Sequence, residues 1–146
     1  MKIHILLDDI ENVDVLGCWA NYLGSFDQVV GYTVLGSIIL CSSESNEYLV
    51  LHPRINGNNA KNYGRFETLA EFGKKVLMDE DFIEYCITPF SVTDVSSLVN
   101  NSVPLDENEA FHPVPDPAIG GSGKLETYKK GNVWVSADIS GQIRGL

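Results

Sequence analysis

The stretch GYTVLGSIILCSSESNEYLVLHP, residues 31–53, decides the fold. Two short runs rich in Ile, Leu, Val and Tyr, Ser37 to Cys41 and Glu47 to His52, flank the polar segment Ser42 to Asn46, a pattern that predicts a β-hairpin. Upstream, Val29 to Cys41 reads as one or two strands, with bends or close backbone approach at Gly31 and Gly36. His52-Pro53 ends the hairpin, because proline has no N–H to donate to a ladder. Arg54 to Asn62, which carries Asn56-Gly57-Asn58-Asn59, reads as a loop.

On the N-terminal side, apolar residues follow Asp8 and Asp9 at Ile10, Val13, Leu16, Ala20 and Leu23, with Trp19 beside them. That spacing lines one face of a helix, and Gly24 is its stop. On the C-terminal side, Thr68-x-x-Glu71 is a capping box ahead of Leu69, Phe72, Val76 and Leu77. Asp79, Glu80 and Asp81 precede Phe82, Ile83, Cys86 and Ile87, which predicts a second helix. Beyond Pro89, Ser91-x-x-Asp94 opens a third with Val92, Val95, Leu98 and Val99 on one face.

Asn100 to Glu109 is a polar loop, and the tail then reads as β structure. Val133, Val135, Ala137 and Ile139 alternate with Trp134, Ser136, Asp138 and Ser140, the period of a half-buried strand. Gly131-Asn132 is a turn pair, so Leu125 to Lys129 is the expected partner strand. The sum is one α+β domain over residues 1–146 with a mainly antiparallel sheet: an N-terminal helix, a β-hairpin, two or three central helices and a C-terminal β-hairpin.

Composition excludes several function classes. Twenty acidic against ten basic residues give a net charge of −10. This opposes nucleic acid and anionic membranes, whose binding depends on Lys and Arg. A basic protein partner suits it better. No apolar run approaches the length of a membrane span, the N-terminus lacks a signal-peptide pattern, and Cys18, Cys41 and Cys86 read as free thiols, so the cytoplasm is the default location.

Candidate chemical groups are few. Gly121-Ser122-Gly123-Lys124 looks like a phosphate-binding loop, but the register puts Ala118 at the first glycine and Leu125 at the Ser/Thr, and prolines 113, 115 and 117 lead into it. His52, His112 and Asp116 would form a metal site only if distant pieces converged; strand-end and loop histidines are the plainer reading. The acid pairs Asp8/Asp9 and Glu107/Glu109 read as solvated surface. Lys124, Lys129, Lys130 and Arg144, interleaved with Tyr128 and Trp134, read as cations on a hairpin edge. No residue set calls for a cofactor. For a partner, the places to look are Asp79, Glu80, Asp81, Glu84 and the face of Trp134 and Asp138. The acids equally suit a helix N-terminus, and Trp134 is either covered by a helix or loop or is an exposed anchor.

The segments GYTVLGSIILCSSESNEYLVLHP, FETLAEFGKKVLMDEDFIEYC and PVPDPAIGGSGKLETYKKGNVWVSADISGQ resemble, in the same order, a bacterial domain-of-unknown-function family. That family includes the C-terminal domain of immunity proteins against type VI secretion DNase effectors, and is often found beside a GAD-like domain. The similarity runs from about Gly31 to Gln142 and rests on pattern and order. A weaker resemblance is to the SMI1/KNR4-like immunity superfamily. The resemblance implies an α+β fold and, for some members, a non-catalytic role, binding and neutralising a toxin; the acidic charge favours a basic effector as that partner, and the chain is expected as monomer or homodimer. The alternative is a small-molecule-binding or enzymatic domain in which residues 113–124 form a lid over a pocket.

Overall fold

The computed structural model describes residues Met1–Leu146. Its centre is a five-stranded antiparallel meander in chain order: β1 (His4–Asn12), β2 (Gln28–Thr33), β3 (Ile38–Cys41), β4 (Glu47–Leu51) and β5 (Ala60–Arg65). The predicted hairpin is β3–β4, with Ile38 opposite Leu51 and Cys41 opposite Tyr48. Both faces of these strands are covered, and for that reason they read as continuous apolar runs rather than alternating ones. Ile39, Cys41, Tyr48 and Val50 face one core, where they meet Phe72, Leu77, Phe82, Ile83, Ile87 and Val95. Ile38, Leu40, Leu49 and Leu51 face a second core, built with Leu16, Trp19, Leu23, Val133, Trp134 and Ala137.

The first core lies under the central helices. α1 (Leu69–Phe72) starts where the Thr68 hydroxyl accepts from the Glu71 N–H at 3.1 Å, and it widens into a π-helical turn over Gly73–Leu77. α2 (Glu80–Ile87) is capped by Asp79, which accepts from the Asp81 N–H at 2.9 Å. α3 (Val92–Asn100) carries a reciprocal capping box between Ser91 and Asp94. These three starts lie where the capping signals put them.

Three sequence expectations are corrected. The N-terminal helix is instead strand β1 followed by a 3-10 segment, Val13–Trp19, kinked at Gly17; Asn12 caps it by accepting from the Asp14 N–H. Val13, Leu16, Trp19 and Leu23 do enter the core while Ile10 stays exposed, and the chain pairs with β2 before it turns. β5 begins inside the segment read as a loop, and its polar sequence AKNYGR suits an edge strand held by β4.

The C-terminal hairpin is the third correction. β6 (Glu109–Pro113) pairs with β7 (Tyr128–Asn132), so the turn is the long 114–127 segment and not Gly131-Asn132. Val133 to Ile143 forms a helix, α4. The Asn132 side chain caps it, accepting from the N–H groups of Trp134 and Val135 at 3.0 Å each. The buried set Val133, Trp134, Ala137, Ser140 and Gly141 has helical spacing, while Val135 and Ile139 lie on the far side. α4 packs on the 3-10 segment, where the Trp19 Nε1–H donates to the Ala137 carbonyl at 2.7 Å. A Cβ on Gly141 would stand 2.7 Å from that same nitrogen, so the contact requires glycine.

Candidate functional site

The largest groove, about 620 Å³, runs between β5 and α2. Asp79 and Asp81 stand on its rim with Lys61 and Lys75, and His52 and Tyr85 close one end. Glu80 and Glu84 lie next to it on α2, also exposed. Flanking these acids in the chain, Met78 is 47% and Tyr85 53% exposed. Four of the six sequence-proposed partner residues therefore share one surface.

The other two do not. Trp134 is 8% exposed and meets Tyr32 edge to face, so it is a core residue covered by the sheet. Asp138 is turned inward onto the 3-10 segment, where its carboxylate accepts from the Cys18 N–H at 2.9 Å. The strand reading placed them on one face, opposite Val133 and Val135, either covered or exposed; on a helix they belong to the buried side and its border.

A second acidic surface was not legible as such. A cleft of about 360 Å³ between β1 and the loop before β6 gathers Asp8, Asp9, Glu11, Asp106 and Glu107. Asp9 and Asp106 are almost a hundred residues apart, and only the sheet topology joins them. Glu109 turns from this cleft towards Lys130, at 4.0 Å.

A buried polar cluster sits where β3, β4 and β6 end. The Ser37 hydroxyl and His52 Nδ1 are 2.8 Å apart, and Cys86 lies beside Ser37. This has the distance of a nucleophile and a base, but not the chemistry. His52 Nε2 has no protein partner to orient the ring, and burial, with Arg54 adding to it, lowers the imidazole pKa to about 4. Burial likewise pushes the Cys86 thiol up to about 12, so near neutral pH it is neither thiolate nor nucleophile.

His52, His112 and Asp116 do not make a metal site. A cation, Arg54, stands among them, and Asp116 is taken by Arg144 in a two-pronged ion pair at 3.0 and 3.1 Å, with Ser140 donating at 3.2 Å. Burial acts to raise the Asp116 pKa, yet Arg144, the Ala118 N–H and Ser140 outweigh it and hold the carboxyl below its usual range. No group of three or more His, Cys, Asp or Glu side chains has ligating geometry.

The Gly121-Ser122-Gly123-Lys124 segment leads into a single 3-10 turn, Leu125–Thr127, and then β7; no α-helix N-terminus stands behind it to receive a phosphate. The basic cluster is dispersed: Arg144 is half-buried on Asp116, while Lys129 and Lys130 stay on the hairpin. The three cysteines are free thiols, Cys41 buried and Cys18 and Cys86 half-buried. No helix is long and apolar enough to cross a membrane.

No protein-family model matches the chain. No curated protein matches it in sequence. Among solved structures, the crystal structure of Atu4351 from Agrobacterium tumefaciens is similar, with a TM-score of 0.63 at 14% identity, over 97% of this chain and 67% of that one. At that identity the likeness shows the fold alone: an α+β architecture around an antiparallel sheet.

Proposed function

We propose that this chain is a non-catalytic protein-binding domain that acts as an immunity protein, neutralising a basic type VI secretion nuclease effector by direct contact. The observation that carries the reading is the exposed face of α2, where Asp79, Glu80, Asp81 and Glu84 stand exposed alongside the exposed side chains of Met78 and Tyr85. Exposed aromatic and thioether groups beside charged ones are the composition of a protein-docking patch, with the apolar groups giving affinity and the charges giving orientation. The net charge of −10 adds a long-range attraction for a basic partner and speeds encounter. The resemblance of residues 31–142 to the immunity-associated family points the same way.

The inert Ser37–His52–Cys86 cluster favours binding over catalysis, since its imidazole is a weak base and its thiol stays protonated. The test is co-expression with the product of the adjacent reading frame, followed by co-purification and a survival assay. A stable complex and protected cells are expected; no complex at micromolar concentration removes the proposal.

A further inference from the structure

The two arginines and one aspartate at the base of β6 do not balance. Arg144 is matched to Asp116, and its second guanidinium nitrogen also donates to the Arg54 carbonyl at 3.0 Å. Arg54 has no carboxylate of its own. Its one hydrogen bond with good geometry goes to the Leu35 carbonyl, at 2.6 Å, and its guanidinium lies 5.9 Å over the Tyr128 ring. It lies deep beneath the surface yet remains partly open through the cavities it lines.

His112 stands next to it. A Cβ at Gly36 would meet His112 Cε1 at 2.9 Å, Nδ1 at 3.0 Å and an Arg54 nitrogen at 3.2 Å, so the two side chains converge on that point. His112 is 6% exposed, and neither ring nitrogen has a hydrogen-bond partner within the protein. The Gly131 carbonyl is close enough to favour the protonated ring slightly, but not in hydrogen-bonding geometry. Buried polar groups are normally paired, and a buried cation is normally matched by an anion.

Both side chains also line a cavity of about 320 Å³, together with Lys129 and Lys130 of the hairpin and Val114, Ile119, Val135 and Ile139. The last four are more than half exposed although apolar. Its one carboxylate, Asp116, is already neutralised by Arg144.

We infer that this cavity binds a small amphipathic anion, its headgroup on Arg54 and His112 and its aliphatic chain between the 114–119 loop and the outer face of α4. The headgroup would accept hydrogen bonds from the Arg54 guanidinium and the His112 N–H, with Lys129 adding charge at the mouth. A chain of six or so carbons fits a space of this size. The Ser37–His52 pair and the acidic α2 face take no part, so this inference stands or falls apart from the protein-binding proposal.

The experiment is calorimetric titration of the full chain with hexanoate, hexyl phosphate, hexanol and hexylamine, repeated on Arg54→Met and Ile139→Asp. Saturable binding of one or both anions, with hexanol weaker and hexylamine absent, is expected; which anion binds tighter tells a carboxylate from a phosphate headgroup. Arg54→Met is expected to weaken anion binding about ten-fold or more, the worth of a charge-assisted hydrogen bond. Ile139→Asp alters an exposed position, so it keeps the fold and tests the chain-binding wall even where Arg54→Met does not fold. Failure of both anions to bind at millimolar concentration overturns the inference, as does equal binding of hexylamine or unchanged anion binding in Ile139→Asp.

Discussion

The β3–β4 hairpin buries every one of its apolar side chains, whereas helix α4 buries those of one side only. In the hairpin every apolar side chain has a core to enter, because the sheet is covered on both faces. In α4 only one side does. Val133, Trp134 and Ala137 enter the second core, whereas Val135 and Ile139 are 57% and 51% exposed. Superposing an inward helical set on an outward apolar pair produced the false period of two. The difference teaches that apolar residues left without a core partner both mislead a periodicity argument and mark a surface, here the wall of the Arg54 cavity.

The largest expected effect comes from cutting the tail loose from the sheet. Trp19→Ala removes a fully buried side chain and its bond to the Ala137 carbonyl, and is expected to cost about 3–5 kcal/mol in urea denaturation. A loss below about 1 kcal/mol would mean that α4 is not anchored there.

Next in size is the acid limb of stability. Burial, with Arg54 adding to it, holds His52 and His112 at about 4 instead of 6.5. The unfolded chain therefore takes up these two protons near pH 6.5 and the folded chain only near pH 4. The stabilisation is fully present above pH 6.5 and is lost as pH falls to 4. The drop from 6.5 to about 4 corresponds to roughly 3 kcal/mol per histidine at most. Chemical denaturation across this range should show a steep fall, shallower in His112→Gln; a flat profile would show that burial does not hold the two imidazoles neutral.

The smallest effect belongs to the α4 cap. Asn132→Ala leaves the N–H groups of Trp134 and Val135 without their acceptor and is expected to cost about 1 kcal/mol. Were residues 133–140 a strand after a Gly131-Asn132 turn, the same change would instead shift strand register.

What the sequence makes legible follows from how local the cause is. The starts at Thr68, Asp79 and Ser91 are set by side chains two or three residues from the N–H groups they cap, so spacing alone reveals them. The N-terminal segment reads as a helix because Ile10 and Val13 fit that spacing, and only pairing with β2 makes residues 4–12 extended. Asn132 was read as half of a turn although its side chain is a helix cap; both roles favour Asn, and the deciding factor is β6, which takes β7 as partner.

Of the candidate site, the α2 acids were visible as a charge run at a helix start, and they remain exposed. Trp134 and Asp138 were lost with the strand assignment. The Arg54–His112 pair was half visible. His112 is a possible ligand by residue type, but Arg54 falls in a segment that reads as loop, and nothing local signals that its guanidinium lacks a carboxylate. A charge imbalance is a property of three-dimensional neighbours.

The measurement that tests the proposed function most directly is the association rate of the purified chain with the purified product of the adjacent reading frame, followed by biolayer interferometry. The comparison is with Glu80→Lys/Asp81→Lys/Glu84→Lys, which leaves the Asp79 cap in place. Nanomolar to micromolar binding is expected, with the variant associating about 10–100-fold more slowly and the wild-type rate falling as salt rises. No binding, or a rate unchanged by reversing the three charges, would contradict an immunity role exercised through the acidic face of α2.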